Sequence, residues 1–179
     1  MRTITWLENR FEYIYRTYFA DLEAPNQIEV TWGRRSRRQL GCIKRAPFSS
    51  LRGGTTKQSD IRLPRLSILS MARNDKTANF KTIIVINGLF KDEAIPEYVI
   101  DAVIVHEMAH YAHGFNSPLP QQHKSPHKGN VIRREFLLRG IGDLERKEQQ
   151  WMKENWQNYL DKNFPAKPRK RRLRYTFFK

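Results

Sequence analysis

The sequence predicts an α+β domain, and three observations predict it. An amphipathic helical pattern opens the chain, β-branched alternation follows, and the second half returns to helical periodicity. Residues 1–164 read as one domain, and 165–179 as a basic, aromatic C-terminal tail.

The first helix is expected to start at a capping box, Thr5 to Glu8, with Leu7, Phe11, Ile14, Tyr15, Tyr18, Phe19 and Leu22 recurring at helical spacing. After Pro25-Asn26 the alternation Ile28, Val30, Trp32 reads as a strand, and Leu40-Gly41-Cys42-Ile43 as its antiparallel neighbour. The connection between them carries Arg34, Arg35, Arg37 and Arg38. Residues 46–60 hold Pro47, Ser49, Ser50, Gly53, Gly54, Thr55 and Thr56 and read as a loop. The apolar segment Ile61 to Leu69 contains Pro64, which restricts it to an edge strand. Lys81 to Asn87 contains the β-branched run Ile83-Ile84-Val85-Ile86 and closes on Asn87-Gly88, a strand with its turn.

Pro96 then opens a helix on which Val99, Val103, His106, His110 and His113 step by four, three, four and three, so they share one stripe. Ser125-Pro126 offers an N-cap and first position for a further helix through Val131, Ile132, Phe136 and Leu137, broken near Gly140 to Gly142. A last helix carries Leu144, Trp151, Met152, Trp156, Tyr159 and Leu160 and ends before Pro165 and Pro168.

His106-Glu107-Met108-Ala109-His110 is an HExxH pattern inside that histidine helix. Two histidines one turn apart can reach a single tetrahedral ion, and Zn2+ is the natural occupant. Glu107 then faces the open coordination position and serves as the base for a metal-activated water. Ordinary packing explains the pattern poorly, because three ionisable groups buried on a stripe of valines cost free energy unless something pairs with them. A catalytic zinc needs a third protein ligand. His127 ranks first, at the start of the next helix; His123, in the preceding loop, ranks second, and Glu135 third. His113 lies two turns from His106 and reads as cleft wall. A metzincin would need Gly at 113 and His at 116, where this chain has His113 and Asn116, so that class is excluded.

These residues resemble the SprT-like metallopeptidases, the group that includes the Spartan proteases. The resemblance covers residues 6 to 137: the aromatic first helix from Trp6 to Tyr18, Ile28 to Trp32, Leu40-Gly41, Ile84 to Asn87, and Val105 to His110. Ser125-Pro126-His127-Lys128-Gly129 resembles the segment that supplies the family's third zinc ligand, with Lys128 where the family has glycine and Val131 at its hydrophobic position. The resemblance implies a zincin-like fold, a small mixed or antiparallel sheet packed on the HExxH helix with flanking helices. It also implies a substrate strand added to the sheet edge, expected here at Ile83 to Asn87, and activity on proteins associated with or crosslinked to DNA. The cysteine-rich zinc module of many relatives is ruled out by the single Cys42.

Charge points the same way. Lys and Arg number 33 against 18 Asp and Glu, a net charge of +15, which favours polyanions through counterion release. In the tail, Lys167, Arg169, Lys170, Arg171, Arg172, Arg174 and Lys179 alternate with Leu173, Tyr175, Phe177 and Phe178, a composition suited to non-specific nucleic-acid contact. One cysteine, no secretory leader pattern and no apolar run of bilayer length predict a cytoplasmic protein, nucleoid-associated or nuclear in a eukaryote, with no membrane partner. The expected function is zinc-dependent hydrolysis of a protein or peptide substrate. The alternative is a nucleic-acid-binding protein with a structural or non-catalytic zinc site.

Overall fold

A computed structural model describes residues 1–47 and 80–164. The expected strand Ile61 to Leu69, residues 48–60 of the expected loop and the tail 165–179 lie outside the described residues. Ala46 and Pro47, placed in that loop by sequence, instead end a strand.

Helix α1 (Ile4–Tyr18) is capped by Thr3, whose hydroxyl accepts the Trp6 N–H at 3.1 Å, so the cap is not Thr5. The chain's entry decides this. The Arg2 guanidinium donates to the carbonyls of Phe90 (3.1 Å), Asp92 (2.6 Å) and Ile95 (2.7 Å), which fixes the chain just before Thr3. Leu7 and Ile14 point into the core as their spacing implies.

The sheet comprises β1 (Ile28–Trp32), β2 (Gly41–Pro47) and β3 (Phe80–Ile86) in the order β1-β3-β2. β3 runs parallel to β1 and antiparallel to β2, and Val30, Ile84 and Ile43 stand side by side on the buried face. The sequence expectation that β2 pairs with β1 is therefore corrected. The most apolar strand, with Ile84 and Ile86 fully buried, takes the centre. The expectation that Ile83 to Asn87 forms the substrate edge fails for the same reason: β3 has partners on both sides, and β1 and β2 are the edges among the described residues.

Residues 33–40 carry the chain from β1 across the end of β3 to β2. Asn87, 3 % exposed, fastens this crossing: its side chain donates to the carbonyls of Ser36 (2.6 Å) and Gln39 (2.8 Å) and accepts from the Ser36 and Leu89 N–H groups. Main-chain bonds from Gly33 to Ile86 and from Asn87 to Leu40 complete the clamp. These bonds hold the crossing against the end of β3 at Gly33, Ser36, Gln39 and Leu40.

Helix α2 (Glu97–Ala112) is buried on nearly every side, between the sheet, α1 and the C-terminal helices. Arg10 of α1 pairs with the buried Asp101 of α2 and ties the two helices. Helix α3 (Val131–Leu138) begins later than the Ser125-Pro126 signal implies. A 3-10 turn, Lys128–Asn130, precedes it, and Asn130 sits in the left-handed region (φ 57°), which a helix cannot pass through. Gly140 (φ 70°) breaks the chain before α4 (Gly142–Trp151), and a π-helical turn, Met152–Trp156, joins α4 to α5 (Gln157–Asn163). Among the described residues no helix is long and apolar enough to cross a membrane.

Candidate metal centre

Helix α2 carries His106 and His110 one turn apart, and packing on its other faces leaves their imidazoles turned to one another. Their Nε2 atoms lie 3.1 Å apart. The segment ahead of α3 brings His127 to the same point, with its ring centroid 5.5 Å from His106 and 4.9 Å from His110. One ligand atom from each of the three histidines falls within 4.8 Å of the others.

The other candidates go elsewhere. His123 lies beside the His113 ring, 5.4 Å between centroids. Glu135 is 3.1 Å from His113 Nε2 and accepts from Arg139 Nε at 2.7 Å, so its carboxylate is already paired. His113, buried at the end of α2, also bonds Gln122 Oε1 at 3.0 Å, while the Gln122 N–H donates to the His113 carbonyl. In this way His113 ties the segment leading to His127 onto the end of α2.

Burial, reinforced by the neighbouring histidines, pushes His106 down to about 4 and His110 down to about 3. Both are therefore neutral at pH 7. Among the described residues the only hydrogen-bond contact of their ring nitrogens is with each other, and the buried His110 Nδ1 has none. The two neutral imidazoles meet edge to face, 81° between planes, and with both protonated at Nδ1 their Nε2 lone pairs are both available, with a third histidine beside them. That donor set fits a metal ion. Two nitrogens bound to one tetrahedral zinc sit roughly 3.3 Å apart, close to the spacing seen here, and imidazole ligands suit zinc, copper or nickel.

Glu107 lies beside this cluster and outside its converging atoms. It is 5 % exposed, its carboxylate has no hydrogen-bond partner among the described residues, and burial pushes it up to about 8. The sequence reading placed Gly41 in a strand without seeing its role here. A Cβ at Gly41 would stand 2.7 Å from Glu107 Oε1 and 2.8 Å from Val103 Cγ1, so only glycine lets β2 approach the carboxylate this closely. The available cue was glycine at a strand position, which often marks a close backbone approach.

His106, His127 and Glu107 line a cavity of about 630 Å³ whose lining also includes Arg38, Leu40 and Gly41. Arg34, Arg35 and Arg38 are exposed, whereas Arg37 is bound to the Phe164 carbonyl and to Asp161. Arg35 also stacks over the Phe164 ring, 5.1 Å from its centroid. Phe164, the last described residue, thus lies beside the arginine cluster. Comparison with family models, curated proteins and solved structures finds no match to this chain.

Proposed function

We propose that this protein is a zinc-dependent endopeptidase of the SprT-like kind, with a zincin-like site, acting on proteins associated with or crosslinked to DNA. The observation that carries the reading is the convergence of His106, His110 and His127 beside a buried, unpartnered Glu107. His106, His110 and His127 would hold the zinc, which would supply the acidification of a water and the polarisation of a peptide carbonyl. Glu107 takes a proton from the attacking water as the new carbon–oxygen bond forms. It returns a proton to the amine nitrogen as the carbon–nitrogen bond breaks, so one water is consumed and one carboxyl and one amine end appear. A carboxyl with raised proton affinity suits both halves of that task.

Substrate presentation falls to β2. Its side away from β3, an edge among the described residues, runs towards Gly41 and Glu107, where an extended chain can add as a further strand through main-chain hydrogen bonds. Unfolded or locally extended segments are therefore the form attacked. The exposed arginines and the basic tail supply the nucleic-acid contact. A purely structural metal site is disfavoured, because burying Glu107 without a partner would then cost stability for no return.

Metal removal tests the reading. The purified chain is expected to degrade a denatured protein, to lose that activity on chelation, and to regain it with one equivalent of Zn2+. A chain that holds one equivalent of zinc yet cuts neither free nor DNA-bound unfolded protein would overturn it. Gly41→Ala probes the base: its Cβ forces the Glu107 carboxylate aside, so hydrolysis should fall about tenfold or more while zinc content stays unchanged. Unaltered hydrolysis would show that the close approach of β2 has no bearing on Glu107.

A further inference from the structure

The cavity that opens onto His106, Glu107 and His127 continues between α2, α3 and α4. Part of its wall is apolar, formed by the buried Ala102 and Val103 of α2 and Ile132 and Phe136 of α3. Helix α4 adds Glu145 and Glu148, three residues apart and so on one helix face. The Glu145 side chain is 16 % exposed and stands 3.9 Å from Arg133, too far for a tight ion pair. Glu148 is partly buried, and its carboxylate makes no hydrogen bond or ion pair among the described residues. Burial and then the Glu145 charge push it up to about 7, as happens to a carboxylate that lacks a counter-ion. Arg38 and Arg133 also border the cavity, but both are exposed and their charges are screened by water. The buried, unpartnered Glu107 lines the same space, which places the reacting end of a ligand in it.

We propose that this cavity receives the substrate side chain next to the scissile bond and selects lysine or arginine, with the carbon stem along Ala102, Val103, Ile132 and Phe136 and the cation at Glu145 and Glu148. The assignment rests on the peptidase reading above. A lysine or arginine satisfies both parts of the pocket at once, because its methylenes cover apolar surface while its charged head meets the carboxylates. A neutral aliphatic side chain would leave the Glu148 carboxylate without a counter-ion, and an acidic one would be repelled.

Binding and cleavage together test it. The probes are N-acetylated, C-amidated Gly/Ser peptides with a single lysine, or with norleucine in its place. Calorimetry on the zinc-loaded Glu107→Gln chain is expected to show the lysine peptide binding at least about tenfold more tightly, and adding Glu145→Gln with Glu148→Gln should remove the difference. Equal binding of the two peptides, or no binding of either at millimolar concentration, overturns the pocket. If the double substitution does not fold, Glu148→Gln alone should narrow the difference about threefold, and no narrowing overturns the assignment. Cleavage by the unaltered chain separates the two readings. Cutting without regard to lysine keeps the peptidase and overturns the pocket; selective binding of the lysine peptide without any cutting keeps the cation pocket and overturns the peptidase.

Discussion

Glu107→Gln is expected to leave zinc binding intact and to reduce peptide hydrolysis by about 10²–10⁴-fold or more. Glutamine keeps the shape but can neither take the water's proton nor hand one to the leaving amine. The same substitution has a second consequence in the metal-free protein. Burial pushes Glu107 from its ordinary 4.5 up to about 8. Between those values the unfolded chain is ionised while the folded chain still holds the proton, so the folded state loses stability as pH rises from about 4.5 to about 8. Glutamine does not titrate. Metal-free Glu107→Gln should therefore be more stable than the unaltered chain at pH 8, by about 2–5 kcal/mol, with the difference vanishing near pH 4.5. His106 and His110 titrate in both proteins and largely cancel in the comparison. Urea unfolding in chelator at pH 5 and pH 8 measures it. A variant no more stable at pH 8, or one that still cuts, would contradict the environment assigned to Glu107.

His127→Ala carries the other large effect. Altering a residue that merely supports a ligand already costs about 10–100-fold in metal affinity, and losing a ligand costs more, so affinity should fall by about 100-fold or beyond. His127 is exposed, so the substitution removes a donor without opening the core. His123→Ala should keep full affinity, and Glu135→Gln should keep a site at the same three histidines while loosening the His113 and Arg139 contacts. Zinc titration against a competing chelator reads all three. Full affinity in His127→Ala would remove it from the site.

Much of this arrangement is legible in local spacing. His106 and His110 fall on one side of α2 because a helix repeats every 3.6 residues, and Glu107 follows from the same rule. The β-branched run 83–86 announces β3, and Gly140 announces the break between α3 and α4. The structure departs from local signals where another residue overrides them, whether far along the chain or near. Thr5 to Glu8 has the form of a capping box, yet Arg2 bonded to residues 90–95 places the cap of α1 at Thr3. Ser125-Pro126 has the form of a helix start, yet left-handed Asn130 delays α3 to Val131.

By itself the sequence determined an α+β chain with one histidine-bearing helix, a glutamate beside its first histidine, and a strong excess of positive charge. Only the tertiary structure decided that β3 lies between β1 and β2, that Gly41 closes on Glu107, that His127 joins the other two histidines while Glu135 turns to His113, and that Glu145 and Glu148 line the same cavity. The first set depends on neighbours within a turn or two of the backbone, where chain geometry leaves little choice. The second depends on residues tens of positions apart, whose meeting is settled by which faces the core buries and which polar groups it must pair.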